Sequence, residues 1–177
     1  SKKNRIIYYL NNINNHDLIK LGNINDTPKD DNDINHIIEI NKRRFIFKHL
    51  FFFNLPDLCS HLELLNILPE DYFDEWSGAL FCKNFNIDIV SKIWDLYMIQ
   101  GEIIIFNCGI SLLKELQEDL FDCDNKEDAL NILLNSQDKN LNEYKILYEI
   151  HKVKYPEWII TEVKKINIDF IIPYFTK

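Results

Sequence analysis

The sequence predicts an all-α fold, a multi-helix lobe, and three observations carry that prediction. From Phe45 onward, apolar residues recur at three- and four-residue spacing, which gathers side chains on one helix face. The breaks carry helix punctuation, with Pro56 and Pro69 opening stretches and Gly101 closing one. No segment alternates apolar and polar residues over a convincing length, and no repeat period is evident. At 177 residues, 46 % of them hydrophobic, the chain is long enough to bury a core without disulfide or metal staples.

Residues 1–44 differ from the rest. "NNINNHDLIKLGNINDTPKDDNDIN" is rich in Asn and Asp, holds the turn formers Gly22 and Pro28, and lacks sustained periodicity. Such a segment buries too little apolar surface to offset its ordering entropy, so it reads as a flexible insertion. Short helices are predicted to flank it at "RIIYYL" and "INHIIEINKRR".

Residues 45–177 form the predicted helical lobe. "RRFIFKHLFFFNL" is apolar almost all round, as in a helix covered on most sides. After Pro56, Leu58, Leu62 and Leu65 make a helical stripe. "PEDYFDEWSGALFCKNF" opens with a first-turn proline followed by Glu70 and Asp71 at the positive helix end, and Phe73, Trp76 and Leu80 line one face. Asp88 is the predicted cap of the next helix, whose Ile89, Ile93, Trp94, Leu96 and Tyr97 repeat until Gly101. "EIIIFNCGISLLKELQEDL" places Ile105, Cys108, Leu112 and Leu116 together, and Asp124 with Glu127 predicts a reciprocal cap for "KEDALNILLNS". "NEYKILYEIHKVKY" and "PEWIITEVKKI" are two further amphipathic stretches.

Composition excludes several function classes. Asn, Ile and Lys are abundant while Ala occurs twice and Arg three times, a skew that reads as codon bias. A net charge of −8, with basic runs as short as Lys2-Lys3 and Lys42-Arg43-Arg44, argues against nucleic acid as a partner. The apolar run "FIFKHLFFFNLP" is interrupted by Lys48 and His49 and is shorter than the ~20 residues a bilayer span requires. No direct membrane insertion is expected. The four cysteines, Cys59, Cys82, Cys108 and Cys123, are far apart and form no C-x-x-C pair, which predicts free thiols in a reducing, cytoplasmic setting.

Local chemistry is sparse. Cys59 and His61 are two apart, a spacing that turns them to different helix faces, and His16, His36, His49 and His151 have no partner at ligand spacing, so no metal is expected. A calcium-loop reading of "DCDNKEDALNIL" fails at Lys126, at Glu127 where Gly is required, and at Leu133 where a closing Glu is required. There is no G-x-S-x-G elbow or phosphate-binding loop, and pairs such as Asp71 with Glu75 or Glu115 with Asp119 read as solvated faces. No catalytic residue and no cofactor are predicted.

The order of "PDLCSHL", "PEDYFDEW", Leu80-Phe81, "KIWDLYMIQGE" and "IIIFNCGISLLKEL" resembles the C-terminal half of TBC domains, the helical GTPase-activating domains for Rab-type small GTPases. The resemblance covers roughly Phe45 to Ser136 and marks Trp76, Trp94, Asp95 and Gly101 as its structural signature. It implies that Trp94 fills the lobe core and that Gly101 supplies a left-handed turn. Asp95 then either accepts hydrogen bonds from a neighbouring helix start or faces solvent beside a core aromatic.

Family catalysis resides in the other half, where an arginine in Ile-x-x-Asp-x-x-Arg and a glutamine in Tyr-x-Gln enter the GTPase site. Neither motif is present: none of Arg5, Arg43 and Arg44 has both Asp three residues and Ile six residues before it, and Gln100, Gln117 and Gln137 have no Tyr two residues before. The start "SKKNRIIYYL", without an initiator Met, points to a fragment that begins after the fingers. The resemblance therefore implies a supporting part of a Rab GTPase activator in vesicle traffic, inactive alone and not itself an enzyme. The alternative is a non-catalytic TBC-like module that binds a small GTPase or scaffold. A cytoplasmic location, peripheral to endomembranes through partners, and self-association of the severed lobe are the further expectations.

Overall fold

The computed structural model describes residues 31–139 and 141–160, with side chains from residue 40 except at residue 138. The predicted "RIIYYL" helix, His16 and most of the Asn-rich segment lie outside the described residues, as do the side chain of His36 and the end of "PEWIITEVKKI". The chain divides into two compact units, Ser1–Ile46 and Phe47–Lys177. In the first, the described residues are helical, and Arg44 Nη1 donates to Asn41 Oδ1 at 3.1 Å.

The described residues are helical and hold no strand, so the fold is all-α. Helix α1 (Asp31–Asn54) is one continuous element rather than a short helix followed by a second. Residues 31–54 contain no proline or glycine, so nothing in the backbone interrupts it. Helix α2 (Pro56–Leu64) starts on its proline, and a 3₁₀ turn (Pro69–Asp71) precedes α3 (Phe73–Gly78). Helices α4 (Ile87–Gln100) and α5 (Ile103–Glu115) follow, separated by Gly101. Helices α6 (Gln117–Phe121), α7 (Lys126–Leu134) and α8 (Glu143–Ile150) complete the described order, with a 3₁₀ turn at Ser136–Asp138.

Helix α5 is the axis of the second unit. Residues 103–113 are all buried, and α3, α4 and α8 pack against it. An all-round apolar surface forces that position, because such a helix has no face to give to water. Gly109 lets α1 approach closely: a Cβ there would meet Phe47 Cε2 at 2.6 Å. Phe47 in turn stacks on Phe73, with centroids 3.8 Å apart and planes 6° from parallel. Phe52 and Phe53 leave over two-fifths of their surface exposed, so α1 is more open than its composition predicts.

Two caps fall beside the predicted positions. Asn86, not Asp88, caps α4 by accepting from Ile89 N at 3.0 Å. Asn125, not Asp124, caps α7 by accepting from Asp128 N at 2.9 Å, and its Nδ2 donates to Asp128 Oδ2 at 2.7 Å. A cap must sit three residues before the amide it satisfies with extended backbone, and the asparagines meet both conditions. The long helix predicted after Glu102 is broken at Leu116 into α5 and α6.

Candidate functional site

The motif residues cluster around the α3–α4 connection. Trp76 is 1 % exposed, and its Nε1 donates to Leu133 O at 3.0 Å, tying α3 to the end of α7. Asn84 Nδ2 donates to Ser136 Oγ at 3.1 Å and to the same carbonyl at 3.3 Å, so Leu133 O is shared by the indole and the Asn84 amide. Lys126 Nζ bridges Asn66 O and Asp71 Oδ2, holding the turn before α3 against the start of α7.

Tyr72 is buried between Phe47 and Trp76. Its hydroxyl has no hydrogen-bond partner among the described residues. Burial, then the nearby Cys59, Asp71 and Glu70, pushes its ionisation well above the usual tyrosine value.

The Leu80-Phe81 pair is explained by its backbone. Both are left-handed, at φ 44° and 62°, a conformation that costs a non-glycine residue ~1–3 kcal/mol. Phe81 N donates to Trp76 O at 2.9 Å, which closes the end of α3 as a left-handed cap does. The fully buried Phe81 ring sits 6.1 Å from Trp76 and 5.9 Å from Phe85, and that burial offsets the strain. Sequence reasoning missed this strained turn. The signal available was two bulky apolar residues directly after Gly78-Ala79, where a helix was ending.

Trp94 does not fill the core. It is 45 % exposed, and its Nε1 reaches Leu80 O at 3.4 Å, a long contact and therefore a weak one. Successive helical residues are 100° apart, and the buried face of α4 is set by Ile89, Val90 and Ile93. Trp94 falls at the edge of that face, in line with Ile87, Ser91 and Met98. Ile87 and Met98 are 73 % and 83 % exposed, so an apolar stripe of three turns points outward. Asp95 is also exposed and has no hydrogen-bond partner among the described residues, which corrects the buried reading. Gly101 has φ 71° and ψ −153°, a region open to glycine almost alone, and its N donates to Tyr97 O at 2.8 Å.

The arrangement offers packing and a surface. Burial pushes the Cys59 thiol up to about 11 and the Cys108 thiol further still, and a protonated thiol is a poor nucleophile. Cys82 is the exposed thiol. No group of three or more His, Cys, Asp or Glu side chains among the described residues is placed to hold a metal ion. Among the described residues no helix is long and apolar enough to cross a membrane.

Comparison with known proteins agrees with this geometry. The family model for the Rab-GTPase-TBC domain matches residues 27–121. Drainin of Dictyostelium discoideum is 28 % identical over 98 residues, 55 % of this chain and 22 % of the relative. TBC1 domain family member 14 of Homo sapiens is 31 % identical over 72 residues, 41 % of this chain and 10 % of the relative. TBC1 domain family member 4 of Mus musculus is 29 % identical over 99 residues, 55 % of this chain and 8 % of the relative. The chain thus spans about a fifth or less of the length of these relatives.

Proposed function

Because this chain belongs to the Rab-GTPase-TBC domain family, we propose that it is the C-terminal helical part of a Rab GTPase activator, supporting catalysis without supplying it. The family role is regulation of Rab-type GTPases. In the reading proposed here, the fingers come from another half of the domain, and this part braces that half. Localisation on endomembranes would then come through partners.

The observation that carries the bracing role is the outward stripe of α4. A signature tryptophan standing half in water, flanked by Ile87 and Met98, is the kind of surface that another body covers. Absence of both finger motifs from the sequence supports the non-catalytic half of the reading. An arginine finger contributes ~10³ to 10⁵ in rate, so its loss is easy to measure.

The test is GTP hydrolysis by a panel of Rab GTPases with and without the 177-residue chain. The expected result is the intrinsic rate throughout, and a tenfold or greater stimulation of any member would overturn the proposal. Binding of the chain to one GTPase in its GTP state alone, with hydrolysis unchanged, would select the second reading, a non-catalytic binding module. The exposed stripe supports that reading as well.

A further inference from the structure

A cleft of about 280 Å³ opens between the end of α1, the middle of α5 and the segment that follows α8. It takes no part in the function proposed above. Its apolar lining comes from Phe53, Leu55, Ile110 and Val153, and its rim carries Lys114, Lys152 and Lys154 with Glu149 as the one acid. Three cations against one anion leave a local charge of +2 on a chain whose net charge is −8.

The walls are fixed by hydrogen bonds. Asn54 clamps the segment after α8 twice, accepting from Lys154 N at 2.8 Å and donating to Lys154 O at 3.0 Å. One residue on, Tyr155 Oη donates to Asn107 Oδ1 at 2.5 Å, anchoring the same segment to α5. A wall clamped in this way loses little entropy when a ligand enters.

Lysines near helix C-termini ordinarily complement the partial negative charge there. Here four carbonyls near those ends already accept from other donors. Leu50 O accepts from Asn54 Nδ2, Phe51 O from Leu55 N, Tyr148 O from His151 N, and Glu149 O from Lys152 N. Lys114 is paired with Glu149 at 2.6 Å, and Lys152 lies 4.7 Å over the Tyr148 ring. Among the described residues, Lys154 Nζ meets no carboxylate, so a cation is left at the mouth of an apolar cleft.

We propose that this cleft binds a phosphate monoester on a short apolar stem, the phosphate at Lys154 and Lys152 and the stem over Phe53, Leu55 and Val153. Lysine is an effective point-charge partner for phosphate, and a monoester carries about −1.5 to −2 at pH 7, which matches the local +2. The cleft lies just below the usual ligand-pocket range of about 300–1,000 Å³, so it takes one such group and not a larger cofactor. A phosphorylated aromatic side chain and a free phosphate monoester share this chemistry.

The experiment is an NMR titration of the full 177-residue chain with phenyl phosphate. The expected result is saturable shifts confined to the cleft, Ser111, Lys114 and Val153 among them, with a Kd on the order of 1 mM or tighter. Lys154→Gln removes one charge from an exposed side chain and should weaken binding roughly tenfold, while the remote Lys83→Gln leaves it unchanged. A short phosphotyrosine peptide that binds more tightly than phenyl phosphate would name a phosphorylated protein as the source, and the reverse order would name a free ester. Three results would each overturn the site: no saturation, equal affinity for inorganic phosphate, or indifference to Lys154→Gln.

Discussion

Gly109→Ala sets two effects of known size against each other. In a helix interior alanine is favoured over glycine by ~1 kcal/mol, and Gly109 sits in the middle of α5, so propensity alone predicts a more stable protein. Packing predicts the opposite. The new methyl would lie 2.6 Å from Phe47 Cε2, 3.1 Å from Phe47 Cζ and 3.4 Å from Phe73 Cε2. Carbon atoms prefer ~3.5–4.0 Å, so the Phe47 ring would have to retreat by about 0.9 Å. It has nowhere to go: the ring is fully buried, stacked on Phe73 at 3.8 Å and edged by Tyr72 at 6.2 Å.

Overpacking a close-fitted core costs ~1–3 kcal/mol, and a stacked ring places this site in the upper half of that range. The net expectation is a loss of about 1–2 kcal/mol, a drop of roughly 2–8 °C in Tm for a chain of this size. Urea unfolding of Gly109→Ala, Phe47→Leu and the double variant measures it. The double variant should be more stable than the sum of the single losses implies by at least ~1 kcal/mol, because the smaller side chain accommodates the methyl. A Gly109→Ala protein more stable than the parent would refute the close approach of α1 and α5.

Other outcomes follow from the same packing. Trp76→Ala should cost ~3–5 kcal/mol in urea unfolding and Trp94→Ala at most about 1, while Asp95→Ala stays within ~0.5; equal losses at the two tryptophans would contradict their different burial. Tyr72→Phe removes a buried hydroxyl that has no partner among the described residues, so it should be neutral or stabilise by up to ~1–2 kcal/mol, and a loss above ~1 kcal/mol would reveal a bond to that oxygen. Cys59 and Cys108 ionise in the folded chain above their usual value of 9.0. The native state therefore holds their protons more tightly. That contribution is complete below pH 9 and is lost as pH rises toward the folded values. Urea midpoints should fall between pH 9 and 11, less steeply in Cys59→Ala, and a flat profile would show that the thiols are not buried.

Much of the fold was legible in the sequence because helices announce themselves by period and punctuation. The continuous burial of residues 103–113 follows from an unbroken apolar run, and the turn at Gly101 from a glycine between two periodic stretches. Less legible were features decided at the scale of one residue. Asn86 and Asn125 took the capping roles assigned to Asp88 and Asp124, since a cap is chosen by backbone geometry that composition does not reveal. Trp94 shows the same limit. The family resemblance implied the core, yet a step of 100° from Ile93 carries its ring to the rim. The Leu80-Phe81 turn was hidden because left-handed backbone at two bulky residues contradicts local preference. Such conflicts between local preference and fold collect where structure serves something beyond its own stability.

The bracing role proposed for this chain requires that another body cover the outward stripe of α4. Sedimentation equilibrium of the isolated chain at moderate salt, beside the Met98→Asp variant, tests it most directly. The expected result is concentration-dependent self-association of the parent chain, because an exposed stripe of Ile87, Trp94 and Met98 finds a substitute partner, and a plain monomer for Met98→Asp. A parent chain that stays monomeric at every concentration, or an association unchanged by Met98→Asp, would contradict it.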